Sequence, residues 1–111
     1  MIFEDLKDKV VLITGAATGI GRATALAFGQ QGAKVVIGDV SDLGMETVDM
    51  VVKAGGKAIF QKTDVTKADS VQALVDTAVK EFGGLDVCFN NAGVLPPANF
   101  LLDTQEKDFD I

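Results

Sequence analysis

Four short apolar runs punctuate the chain, at roughly Val10–Thr14, Lys34–Asp39, Lys57–Gln61 and Leu85–Asn90, and longer segments of helical period separate them. This alternation predicts β-α-β units around a parallel sheet. The runs are rich in Val and Ile and hardly alternate in polarity, as expected of strands covered by helices on both faces. In the segment opening near Gly19, the residues Ile20, Ala23, Thr24, Ala27 and Phe28 recur at helical spacing. They predict a helix with that stripe on the sheet, stopped by Gly32. A second helix is expected over about Asp42–Ala54, burying Val48, Val51 and Val52 and ending at Gly55-Gly56. In the third, Thr66 and Asp69 have the spacing of a capping box, and Val71, Leu74, Val75, Ala78, Val79 and Phe82 form the apolar stripe before Gly83-Gly84. Beyond the fourth run come Pro96-Pro97 and then Thr104, a suitable N-cap for a segment with Phe109 and Ile111 on its apolar side. No linker, low-complexity tract or short repeat interrupts this order, so residues 1–111 read as one continuous unit cut at its C-terminal edge.

The junction between the first run and the first helix carries the chemistry. Gly15, Gly19 and Gly21 sit in TGAATGIG directly after VVLIT, and Asp39 closes the next apolar run, eighteen residues beyond Gly21. Strand, glycine turn, helix, strand and acid, in that order and at about that distance, are the layout of a dinucleotide site. One glycine closes the turn, one lets the backbone approach the pyrophosphate, and one lets the helix pack against the sheet. The helix N-terminus then offers unpaired N–H groups and the positive end of its dipole to the phosphates. Asp39 is placed to accept from the adenosine ribose hydroxyls. A 2′-phosphate there would face it at about 4 Å, where like charges repel by roughly 4 kcal/mol at an effective dielectric near 20. Thr18 and Val40, which flank the loop and the acid, are not basic and offer that phosphate no cradle. The expected cofactor is therefore NAD rather than NADP.

Composition narrows the alternatives. Ten basic against sixteen acidic residues give a net charge of −6, which argues against nucleic acid or an anionic membrane as partner. No apolar run approaches the length of a membrane span. The opening MIFEDLKDKV mixes acids and bases where a signal peptide would be basic and then apolar, so a cytoplasmic protein is expected. With no histidine and the single Cys88, a zinc-type ligand cluster cannot be assembled. Cys88 lies in LDVCF and reads as a small buried hydrophobe.

TGAATGIG, Asp39, the pair Asp64-Val65 in TDVT and NNAG at Asn90–Gly93 together resemble the short-chain dehydrogenases/reductases of the single-domain type. The spacing Thr-Gly-x-x-x-Gly-x-Gly is that family's own form of the glycine loop. The resemblance implies a Rossmann-type α/β fold: a doubly wound parallel sheet, here four strands in the order 3-2-1-4 with helices on both faces, covering about the N-terminal half of such an enzyme. It implies that Gly15, Thr18, Gly19, Ile20 and Gly21 hold the pyrophosphate and that Asp39 and Val40 adjoin the adenosine ribose. It also implies that Asp64 accepts from the adenine amine while Val65 contributes its backbone, and that Asn91, Ala92 and Gly93 border the nicotinamide-side ribose. An alcohol or carbonyl compound is the implied small-molecule substrate, and a homo-oligomer the implied state of the full-length protein. The family's proton-transfer tyrosine has no counterpart, because the chain contains no tyrosine, and Ser41 and Ser70 do not belong to the family's catalytic set. A second reading is a stand-alone dinucleotide-binding or sensor module without catalysis. A Rossmann-like methyltransferase also places an acid after its second strand, but Asp64-Val65, NNAG and the form of the glycine loop speak against it.

Overall fold

In the computed structural model, which describes residues 6–91, the chain runs β1 (Val10–Thr14), α1 (Gly19–Gln30), β2 (Lys34–Asp39), α2 (Gly44–Lys53), β3 (Lys57–Lys62), α3 (Ala68–Phe82) and β4 (Val87–Asn90). The four strands are parallel and lie in the order β3-β2-β1-β4. The Rossmann-type arrangement expected from the sequence is thus the one observed. Its physical basis is the alternation of side chains through the sheet. Val11, Ile13, Val35 and Ile37 point to one face, where they pack with Ala25 of α1 and Val51 of α2. Val10, Leu12 and Val36 point to the other, against Leu74, Val75 and Ala78 of α3. Each central strand must therefore be apolar at every position, which is why the runs hardly alternate. Among the described residues no helix is long and apolar enough to cross a membrane.

Two strand limits differ from expectation, each for a visible reason. β3 extends to Lys62, which pairs with Asp39 at the end of β2. β4 begins at Val87 rather than Leu85, because the Asp86 carboxylate accepts the Val10 amide (2.8 Å) while the Asp86 amide donates to the Val10 carbonyl (2.9 Å). Leu85, ahead of the ladder, is still fully buried against α3.

The helices bring larger corrections. The α1 stripe is not the predicted one: Gly21, Ala25 and Gly29 are buried, whereas Ile20, Ala23 and Ala27 are exposed. The helix lies too close to its neighbours for larger residues. A Cβ on Gly21 would meet the Gly15 carbonyl and come within 2.8 Å of Ala16 Cα, and one on Gly29 would stand 2.7 Å from Val51 Cγ1. Phe28, with Leu26, flanks this small-residue seam and packs against the core. α2 starts at Gly44 rather than Asp42, since Ser41–Leu43 form a side-chain-bonded turn, and it buries Gly44, Thr47 and Val51 while Val52 is exposed. α3 buries Val71, Leu74, Val75 and Ala78 and ends in left-handed Gly83, as predicted. Its capping box does not form. Lys67 is the N-cap residue, and the Thr66 hydroxyl donates instead to Asp64. Cys88 is partly buried against the α3-side core, and burial pushes its thiol pKa up. The segment containing Pro96, Pro97, Thr104, Phe109 and Ile111 lies outside the described residues.

Leu74 is fully buried beneath the sheet. Leu74→Ala is expected to cost about 2–5 kcal/mol, the range for a leucine removed from a packed core. Urea denaturation of the intact protein should show a lower midpoint with an unchanged slope.

Candidate functional site

The strand order places β1 between strands reached in opposite directions, and its carboxyl end is the position at which open α/β sheets bind ligands. A cleft of about 280 Å³ opens there, with Gly15, Asp39, Val40, Thr63, Asp64 and Val65 in its lining. Five of the sequence-selected residues are thereby brought together. Thr18, Gly19, Ile20 and Gly21 lie on the adjoining loop and first turn of α1, and Asn91 reaches the loop from the end of β4. Ala92 and Gly93 fall outside the described residues.

The β1–α1 turn is built by glycine conformations. Gly15 (φ 68) and Gly19 (φ 62) are both left-handed, which an L side chain rarely adopts. Among the described residues a Cβ on Gly19 would meet nothing within 4 Å, so they leave the space beyond its backbone open. The first turn of α1 is also electrostatically uncompensated. Thr18 makes no side-chain capping bond, the turn contains no acid, and the first backbone bond runs from Arg22 N to the Thr18 carbonyl (3.4 Å). The amides of Gly19, Ile20 and Gly21 precede any intrahelical acceptor. A helix start of this kind attracts an anion.

The loop is tied to β2, to the end of β4 and to α2. Gly15 N donates to the Gly38 carbonyl of β2 (2.9 Å), and Ala17 N donates to Asp39 Oδ2 (3.0 Å). Asn91 Nδ2 donates to the Gly15 carbonyl (3.1 Å), while Thr14 Oγ1 donates to Asn90 Oδ1 (3.0 Å), so the NNAG asparagines brace the neighbouring strand end. From α2, the fully buried Thr47 hydroxyl donates to the Ala16 carbonyl (2.8 Å) and accepts from Arg22 Nε (2.9 Å) of α1. Arg22 also reaches the Leu43 carbonyl (3.2 Å) and the Glu46 carboxylate (3.6 Å). Thr47 and Arg22 were not selected from the sequence. The available signal was a threonine one turn before Val51, on the face of α2 expected to be apolar.

Asp39 uses both oxygens within the protein, Oδ2 toward Ala17 and Oδ1 toward Ser41 N (2.9 Å). Each oxygen retains a second lone pair for a ligand. Val40 beside it is 60% exposed and apolar, a flat surface next to the carboxylate. Across the cleft, Asp64 Oδ1 accepts both the Thr66 hydroxyl (2.6 Å) and the Thr66 amide (3.0 Å). These bonds, aided by nearby Lys67, hold the Asp64 carboxyl below the usual carboxylate pKa. An ionised acceptor at Asp64 next to the Val65 backbone forms an edge that a heterocycle with adjacent donor and acceptor atoms would match.

The sequence model of the short chain dehydrogenase family matches residues 9–111. An uncharacterized oxidoreductase of Thermotoga maritima is 45% identical over 107 residues, 96% of this chain and 41% of the relative. The cis-4-hydroxycyclohexanecarboxylate dehydrogenase of Sinomonas cyclohexanicum is 47% identical over 94 residues, 85% of this chain and 38% of the relative. Among solved structures, NAD+-bound xylitol dehydrogenase superposes with a TM-score of 0.75 at 36% identity, covering 79% of this chain and 34% of the other. The chain thus spans about two-fifths of the length of the curated relatives it matches.

The Thr47 hydroxyl supports the loop from behind through the Ala16 carbonyl. Thr47→Val keeps the shape but leaves that buried carbonyl and Arg22 Nε each short of a partner, at an expected cost of about 1–3 kcal/mol. Thr47→Ser, which keeps the hydroxyl, should recover most of the difference in thermal or chemical denaturation of the intact protein.

Proposed function

The chain belongs to the short chain dehydrogenase family, and from that premise we propose that the whole protein is an NAD(H)-dependent oxidoreductase acting on an alcohol or its carbonyl counterpart, with residues 1–111 as its dinucleotide-binding segment. The observation that carries the reading is the pairing of an uncompensated helix start at Gly19 with the cleft carboxylate of Asp39, which the Ala17 amide ties to the same loop. An anionic diphosphate suits the first, and a vicinal diol suits the second. The open space beyond Gly19 fits a phosphate drawn close to the backbone. NAD+-bound xylitol dehydrogenase among the similar structures supports the cofactor, and a dehydrogenase of a hydroxycyclohexane acid among the relatives supports the substrate class.

In this reading the amides around Gly19, Ile20 and Gly21 receive the pyrophosphate, with Gly15 and Thr18 shaping the turn. Asp39 accepts the ribose hydroxyls beside Val40, Asp64 accepts the exocyclic amine of adenine, and the Val65 backbone donates to the ring. Asn91 fixes the strand end next to the nicotinamide-side ribose, which Ala92 and Gly93 would border. The bound dinucleotide supplies the hydride acceptor or donor. The residues of this chain bind it, orient it and select it by charge. Proton transfer to or from the substrate oxygen needs a positioned acid or base, worth about 10²–10⁴-fold. Ser41 and Ser70 are already engaged in the turns beside Asp39 and Asp64, and there is no tyrosine. In this reading the family's tyrosine-type proton-transfer group is contributed from outside these 111 residues.

Two outcomes are expected. In the intact protein, Asp39→Ala should weaken NAD by about 1.5–3 kcal/mol, the value of a hydrogen bond to a charged group, and narrow the preference over NADP. Titration with both dinucleotides checks this, and an unchanged ratio would remove Asp39 as the selector. A polypeptide of these 111 residues should form no NADH from a panel of alcohols above a boiled control. Clear turnover would place the proton-transfer group within residues 1–111.

A further inference from the structure

Asp64 is held more firmly than a strand-end carboxylate requires. Its backbone amide donates to Ser70 Oγ (2.8 Å), and its carbonyl accepts from Lys67 N (3.0 Å). Both remaining bonds converge on one carboxylate oxygen: Oδ1 takes the Thr66 hydroxyl at 2.6 Å and the Thr66 amide at 3.0 Å. Among the described residues Oδ2 receives no hydrogen bond. Two donors on a single oxygen fix the rotation of the group, so the second oxygen keeps one direction rather than exchanging roles with the first. Thr66 is itself exposed, lies outside α3 and contributes nothing to the core. Its hydroxyl is not used as a helix cap, although the sequence around it has the spacing for one.

We infer that Thr66 is a positioning residue for purine recognition: by occupying Asp64 Oδ1 it reserves Oδ2 as the acceptor for an exocyclic amine, and so sets the discrimination between adenine and a 6-oxo purine. The inference rests on the proposed reading of the cleft as a dinucleotide site and adds the group that makes the adenine contact selective. A hypoxanthine ring carries an acceptor where adenine carries a donor, and an ionised, fixed acceptor rejects it. The hydroxyl also helps to keep Asp64 ionised, since loss of its bond removes the largest influence lowering that carboxyl's pKa.

The test uses the intact protein with two probes, NAD and its hypoxanthine analogue, titrated against wild type, Thr66→Val and Thr66→Ser. Wild type is expected to favour NAD by roughly tenfold or more, as for a hydrogen bond to a charged group. Thr66→Val should reduce that preference at least threefold with circular dichroism unchanged, and Thr66→Ser should restore it. By nuclear magnetic resonance, the Asp64 carboxyl should titrate higher in Thr66→Val than in the other two. A preference that survives Thr66→Val, or equal weakening of both probes, overturns the inference while leaving the dinucleotide reading intact. Absence of any preference in wild type overturns the inference together with the assignment of Asp64, and absence of NAD binding overturns the reading of the cleft itself.

Discussion

Between Gly15 and Ala17 the chain leaves the sheet with its backbone buried, and the peptide groups there must find partners inside the protein. Ala16 and Ala17 are almost wholly enclosed. Their bonds and those of Gly15 come from three places: β2 receives Gly15 N and, through Asp39, Ala17 N; Asn91 beyond β4 donates to the Gly15 carbonyl; Thr47 of α2 donates to that of Ala16. Satisfying this short stretch fixes the ends of two strands and two helices relative to one another. The absence of a side chain on Gly21 follows from the same crowding, because α1 begins directly against the turn it leaves.

The fold was legible because its signal is long-range and repeated. Apolar runs covered on both faces and a stripe such as Val71, Leu74, Val75 and Ala78 carry their own period. The limits of β1 and β2 agree with the apolar pattern and the strand order with the family resemblance, while Gly15, Asp39, Val40, Asp64 and Val65 share the lining of one cleft. The α1 stripe was misread because periodicity weights large apolar residues, whereas this helix packs through its smallest ones, Gly21, Ala25 and Gly29. The capping box failed for a related reason. Spacing shows that the Thr66 hydroxyl can reach a helix N-terminus, but not that Asp64, two residues earlier, offers a charged acceptor and wins. Thr47 and Arg22 were hidden because their partners lie on other elements, at separations that no local pattern records.

Labour is divided cleanly within the chain. The face of the sheet toward α1 and α2 carries the turn and its supports, while the face toward α3 is an apolar slab of Val10, Leu12, Val36, Leu74 and Leu85 with no part in the cleft. The two meet at Gly38, since a Cβ there would press on Leu74 Cδ2 at 2.5 Å and lie 3.2 Å from Thr63 Oγ1, and again where Ser70 of α3 accepts the Asp64 amide. Packing on the far side of the sheet therefore sets how deep the cleft floor can be.

The double duty of Asp39 bears on how cofactor choice can change. Its carboxylate is a structural bracket, joining the Ala17 and Ser41 amides across the mouth of the loop, besides being the selector in the function proposed above. A lineage or an engineer replacing it with a small neutral residue to admit a 2′-phosphate would also orphan two backbone donors. The phosphate itself could take over as their acceptor, but only while bound. Such a variant would exchange a permanent brace for one that its own ligand provides, and its loop would become rigid on loading instead of in advance.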